Sequence, residues 1–227
     1  MLRKSKYLIV SILAILLLLT GCKDKETDAL KFKNEYESLN NTKIEDKEVR
    51  NIIIDEDNPM VYKTEDDIVN YINNKESFLV YFGFAKCPWC RSVISSLIES
   101  SKENKLSTIY YVDILDIRDV YEKDEEGNFI KTKEGTSGYN KLLELLGDKL
   151  QDYKINNEKV GEKRIYAPNI VSIIDGKVDS IITGISPLQT DAYMDLTPDM
   201  IIDEKNAFDP IIKKVVESQS SCDISGC

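Results

Sequence analysis

"FLVYFGFAKCPWC", residues 78–90, runs from a stretch that is apolar at nearly every position into two cysteines three positions apart. An unbroken apolar run is what a strand buried on both faces requires. The following "PWCRSVISSLIES" places proline where the first turn of a helix tolerates it, with Val93, Ile94, Leu97 and Ile98 at helical spacing. The Cys-x-x-Cys therefore straddles a strand-to-helix turn. There the unpaired N–H groups and the dipole of the first turn favour a negative sulfur on Cys87. Lys86 adds a positive charge, and Pro88 needs no N–H partner and stiffens the turn. Cys90, one turn further in, is expected to be more buried and less acidic. Because the thiolate is the reactive form, Cys87 is expected to attack and Cys90 to resolve. Two other readings remain open. A zinc half-site would need two more ligands from Cys222, Cys227 or carboxylates, since the chain has no histidine. A purely structural disulfide at this spacing would close too short a loop to stabilise much.

Working outward, "VRNIIID" (49–55) and "MVYK" (60–63) are strand candidates, and "TEDDIVNYINNKE" (64–76) is a helix with Thr64 and Asp67 placed as a capping box. "STIYYVDIL" (107–115) is another β-rich run. Helices alternating with strands argue for a sheet with parallel strands and covering helices. The polar stretch 116–138 holds a small exposed hairpin around Gly127, and "YNKLLELLGDKL" (139–150) is a helix with a leucine face. "NIVSIIDGKVDSIITG" (169–184) gives two strands joined at Asp175-Gly176. "DPIIKKVVESQ" (209–219) reads as a last helix with Asp209 as N-cap and Pro210 in the first turn.

The N-terminus supplies the compartment. Arg3, Lys4 and Lys6 precede an apolar run, Tyr7 to Leu19, of signal-peptide length and short for a membrane span. It ends Leu19-Thr20-Gly21-Cys22, which resembles the lipobox of bacterial lipoproteins and implies acylation of Cys22. Two acyl chains would hold the protein at the extracytoplasmic face of the cell membrane. The expected organisation is a signal peptide (1–21), a charged tether (22–49), one domain (50–217) and a flexible tail (218–227) that carries Cys222 and Cys227. Beyond the membrane disulfides persist, and the five cysteines less the acylated one leave an even set. Cys222 and Cys227 are candidates for a second disulfide. The net charge of -10 becomes -13 once the three cations of the signal are removed, and no basic run interleaved with aromatics points to nucleic acid. The lack of histidine excludes Ser-His and Cys-His catalysis.

From about residue 60 to 217 the sequence resembles a thioredoxin-fold protein. The resemblance rests on "FLVYFGFAKCPWC" and on "RIYAPNIVSIIDGKVDSIITG" (164–184), an Ala-Pro segment opening a hairpin. It implies an α/β, thioredoxin-like fold: a central mixed sheet flanked by helices, with insertions before and after the hairpin. It also implies that Pro168, after Ala167, is cis and lies against the cysteine pair, where its segment would hold the substrate backbone. Within the family the chain is similar to lipid-anchored or membrane-linked thioredoxin-like proteins of Gram-positive bacteria, including bacteriocin transport accessory proteins. The implied activity is thiol–disulfide exchange without cofactor or metal, on exported protein thiols and disulfides, with a separate redox partner; the alternatives are a non-catalytic accessory or binding protein of a transporter that kept the fold, and a metal carrier using thiolates. The buried aspartate that the family carries six residues before the first cysteine is Tyr81 here.

Overall fold

The computed structural model of the chain describes residues 26–225, and side chains as far as Ser221; Cys22, the signal segment and Cys227 lie outside the described residues. A short antiparallel ribbon, β1 (Lys43–Ile44) with β2 (Lys47–Glu48), precedes the five-stranded mixed sheet that forms the centre. The central sheet comprises β3 (Met60–Tyr62), β4 (Phe78–Gly83), β5 (Ile109–Asp113), β10 (Asn169–Ile174) and β11 (Lys177–Ile182), in the order β11-β10-β4-β5-β3. β3, β4 and β5 run parallel, whereas β10 runs antiparallel to both β4 and β11. Crossover helices connect the parallel strands, α2 (Glu65–Asn73) from β3 to β4 and α3 (Pro88–Glu103) from β4 to β5. β4 is buried at every residue because both of its faces are covered. Its alternate side chains divide the core. Leu79 and Tyr81 pack with α3, with α1 (Asp28–Glu37) and with α5 (Pro198–Ser225). Phe78, Val80 and Phe82 pack with α2 and α4 (Ser137–Leu146).

The capping box of α2 is complete, with Thr64 Oγ1 accepting from Asp67 N at 3.2 Å and Asp67 Oδ2 accepting from Thr64 N at 2.9 Å. The β10–β11 turn has Asp175 at φ 50° and Gly176 at φ 71°, the pair of positive values a two-residue hairpin needs. A Cβ on Gly176 would also lie 2.3 Å from the Ile72 carbonyl, so the turn seats directly on the end of α2.

Four expectations need correction. The tether assigned to residues 22–49 is, from residue 28, part of the domain. Thr27 caps α1, whose Phe32 and Tyr36 are fully buried against β4 and β5. Two large aromatics at i and i+4 make one apolar stripe, enough to seat a helix whose other residues are mostly charged. "VRNIIID" is no strand. Asn40 both donates to the Ile52 carbonyl and accepts from its N–H, and Glu37 accepts from Ile54 N. Side chains from the end of α1 and the turn after it thus take the bonds that a neighbouring strand would have made. Ile52 and Ile54 are buried while Ile53 is 87% exposed.

The last helix begins a dozen residues before Asp209. Thr197 Oγ1 accepts from Met200 N at 3.3 Å and its carbonyl from Ile201 N at 3.1 Å, which makes Thr197 the cap. Pro210 lies inside α5, where the buried Phe208, Ile211, Ile212 and Val215 hold the helix on the core despite the missing N–H. The tail assigned to 218–227 is helical through Ser225, Cys222 included, and Ser218 bonds Ser77 at 2.7 Å.

The long insertion before residue 168 contains two exposed hairpins. β6 (Val120–Lys123) with β7 (Phe129–Lys133) turns around Gly127. β8 (Gln151–Ile155) with β9 (Glu158–Arg164) turns at Asn156 and Asn157, both at positive φ. The second hairpin is mostly charged and gives little apolar alternation by which a sequence could reveal it.

Candidate active site

Cys87 is the N-cap of α3, with φ -73° and ψ 118°, and Pro88 occupies the first turn. Its Sγ accepts from the Cys90 N–H at 3.4 Å, using one of the N–H groups that a helix start leaves unpaired. On the other side Sγ donates to the Ala167 carbonyl at 3.2 Å. The Ala167–Pro168 bond is cis. Asn169 Oδ1 accepts from Tyr166 N at 2.7 Å and closes this segment into a tight loop at the start of β10. The site therefore joins the end of β4, the start of α3 and the entry to β10. Cys87 is 5% exposed and Cys90 wholly buried. Trp89 and Ala167 are half-buried and pack on the same apolar cluster.

The two thiols are electrostatically unequal. A hydrogen bond from the Cys90 thiol holds Cys87 below the ordinary thiol range; burial opposes this, while the N–H groups of Cys90 and Trp89 and the charge of Arg118 assist it. Burial pushes Cys90 well above that range, and its bond to Cys87 adds to the rise. A proton shared between close sulfurs favours one thiolate and opposes a second.

The cation that acts on Cys87 is Arg118, not Lys86, which points into solvent. Arg118 comes from the long insertion. Its neighbour Asp119 forms a buried ion pair with Arg164 at 2.8 Å and also accepts Arg164 through its backbone carbonyl. That pair ties the insertion to the strand leading into the proline segment. Arg118 then lies with its guanidinium 5.0 Å from the Phe84 ring, half-buried beside the nucleophile. No sequence pattern marks it, because its partners are distant in the chain.

Replacing Arg118 with Met keeps the apolar stem on Phe84 and removes the charge. The Cys87 pKa should rise, since a nearby cation favours the thiolate, and alkylation of Cys87 at pH 7 should slow by about twofold to tenfold. The pH profile of iodoacetamide labelling in wild type and variant reads this shift directly. Coincident profiles would remove Arg118 from the site.

Behind the cysteines, Tyr81 from β4 is fully buried, and its hydroxyl meets that of Tyr36 from α1 at 2.9 Å. Arg91 of α3 is also buried and donates to the carbonyls of Arg50, Tyr36 and Ala85 and to Asn40 Oδ1. A cavity of about 510 Å³ lies farther along α3, between that helix and residues 50–55, and neither cysteine lines it.

Solved structures similar to this chain include two plant thioredoxins. Thioredoxin O2 from Arabidopsis thaliana, in the oxidized state, shares 17% identity at a TM-score of 0.34 over 69% of this chain and 96% of that one. Thioredoxin O1 from the same plant, also oxidized, shares 18% at 0.31 over 55% and 85%. No family model matches the sequence, and no curated protein matches it. The sheet order, its change from parallel to antiparallel pairing at β4–β10, the crossover helices and the cis-proline loop against the helix-capping thiol define the architecture. The fold is thioredoxin-like.

Proposed function

We propose that the chain is a thiol–disulfide oxidoreductase in which Cys87 attacks and Cys90 resolves. The observation that carries this reading is the position of Cys87 Sγ, capping α3 through the Cys90 N–H and touching the Ala167 carbonyl. In the reducing direction the Cys87 thiolate attacks one sulfur of a client disulfide, and the other client sulfur leaves with the electron pair. Cys90 then attacks Cys87, forming the Cys87–Cys90 disulfide and releasing the second client thiol. The client is reduced by two electrons and the pair is oxidised by two; the oxidising direction is the exact reverse. The proline segment beside Cys87 would receive the client backbone.

The lipobox-like Leu19-Thr20-Gly21-Cys22 supports an anchored form acting on exported proteins, as in the Gram-positive lipoproteins that the sequence resembles. Such a form needs a membrane-side or soluble redox partner to restore the pair after each turnover.

Full-length protein added to insulin and dithiothreitol should shorten the lag before the insulin B chain precipitates, and a Cys87→Ser/Cys90→Ser protein should not. Equal lags would refute the activity. In cells, Cys22→Ala should move the protein out of the membrane fraction; retention after normal cleavage would refute the anchor alone.

A further inference from the structure

Resolution by Cys90 poses a chemical problem. Its sulfur is fully buried, burial holds the proton on it, and the chain has no histidine to accept that proton. The groups facing it are Cys87, Tyr81 from β4 and Tyr36 from α1, with Arg91 next to it in sequence. None of these is a carboxylate.

The two tyrosine hydroxyls carry two hydrogens but share one contact, 2.9 Å long. Among the described residues neither oxygen has another oxygen or nitrogen partner. If Tyr81 donated to Tyr36, the Tyr36 hydrogen would be stranded in a fully buried position. Stranded buried donors are rare because nothing offsets their desolvation. The opposite order strands nothing. Tyr36 donates to Tyr81, and the Tyr81 hydrogen is free for Cys90, whose buried thiol shares the same core cluster and acts electrostatically on both tyrosines. Hydrogen-bond accounting thus sets the direction of the chain.

The charge nearby points the same way. Arg91 is 1% exposed, its donors go to three carbonyls and one amide oxygen, and no described carboxylate lies within ion-pair distance. Its guanidinium carbon lies 6.0 Å from the Tyr36 ring centroid. A buried cation without a counter-ion raises the worth of any negative charge that forms close by.

We propose that Tyr36 and Tyr81 form a two-hydroxyl relay that stabilises the Cys90 thiolate as Cys90 attacks the mixed disulfide on Cys87. The relay rests on the oxidoreductase reading above and adds two positioning residues to it. The phenols stay neutral and donate hydrogen bonds, not protons. As Cys90 Sγ bonds to Cys87 Sγ, the Cys87–client bond breaks and its electron pair goes to the client sulfur. The proton Cys90 has lost goes to that sulfur, which leaves as a thiol, or to water when the leaving group is a weakly basic thiolate. No oxidant enters the step.

The test uses 5,5′-dithiobis(2-nitrobenzoate) and the full chain with Cys22→Ser, Cys222→Ser and Cys227→Ser, so that only Cys87 and Cys90 react. Attack by Cys87 releases the first coloured thiolate and resolution by Cys90 the second, which separates the two steps in stopped flow. Tyr81→Phe should slow the second phase by about tenfold and leave the first within about twofold, because a charge-assisted hydrogen bond is lost only where Cys90 ionises. Its pH midpoint should move upward. Tyr36→Phe should slow the second phase by about threefold, since it weakens Tyr81 without removing it. Tyr36→Phe/Tyr81→Phe strands no hydroxyl and should match Tyr81→Phe alone, because Tyr36 acts through Tyr81.

A second phase in Tyr81→Phe, or in the double variant should Tyr81→Phe fold poorly, that keeps the parent rate and midpoint overturns the relay. So do effects of Tyr36→Phe and Tyr81→Phe that multiply. A parent protein that releases no second equivalent would instead overturn the oxidoreductase reading, and the relay with it.

Discussion

Cys90→Ala should trap client proteins as mixed disulfides on Cys87, whereas Cys87→Ser should trap none and slow disulfide exchange by more than about a thousandfold. The asymmetry follows from the site. Cys87 keeps its N-cap contact with the N–H of residue 90 whatever side chain stands there, so the attacking group survives the loss of Cys90. What is lost is the second sulfur, without which the client can leave only by attack of an outside thiol. The Cys90→Ala substitution also removes the thiol hydrogen bond that is the largest influence lowering the Cys87 pKa. Trapping should therefore be slower than the first step in wild type at neutral pH, and should recover as pH rises and the remaining thiol ionises. The reverse substitution leaves Cys90 with no exposed surface and a pKa well above the ordinary thiol range, so it can neither reach a client nor ionise readily. Non-reducing gels and mass spectrometry of affinity-purified variants check the result. Trapping through Cys87→Ser, or equal adducts on both variants, would reverse the roles assigned here.

The parts of this site that the sequence displays are those built from neighbours in the chain. β4, the turn and α3 are contiguous, so an apolar run, two cysteines and a first-turn proline suffice to place Cys87 at a helix start. The β10–β11 hairpin is legible for the same reason, through Asp175 and Gly176. Arg118 is different. It reaches Cys87 because Asp119 pairs with Arg164 across 45 residues, and a single charged residue in a polar insertion carries no mark of such a pairing. Tyr36 is hidden in another way. Its helix is charged at half of its positions and buries chiefly Phe32 and Tyr36, so its composition resembles a solvated linker and gives a weak amphipathic signal. Tyr81 is visible as an oddity, a tyrosine in the middle of a buried strand, but its meaning depends on the Tyr36 hydroxyl opposite. The start of α5 is hidden because Asp209-Pro210 makes a good local cap, while the Thr197-Pro198 start is favoured by the buried face of the whole helix.

Phe32→Ala should destabilise the protein by about 3–5 kcal/mol, the range for a large aromatic removed from a core. A residue in a solvated tether would change stability by no more than about 0.5 kcal/mol, so the two views of residues 28–37 differ by several-fold in one measurement. The size follows from what Phe32 touches. Its ring stacks on Tyr36 at 4.4 Å and meets Tyr111 edge-on at 4.9 Å, and Tyr111 in turn stacks on Tyr81 at 5.5 Å. Removing it opens a void between α1 and the sheet that neither strand can close without shifting paired residues of β4 and β5. A urea titration reads the change as a lower midpoint with an unchanged slope. The void also loosens the helix that carries Tyr36, so the second phase of the thiol reaction should slow in Phe32→Ala below the unfolding transition, while the first does not. Full stability in this variant would return residues 28–37 to a tether and leave Tyr81 without its partner. Lost stability with both phases intact would keep α1 in the domain but separate it from the chemistry of Cys90.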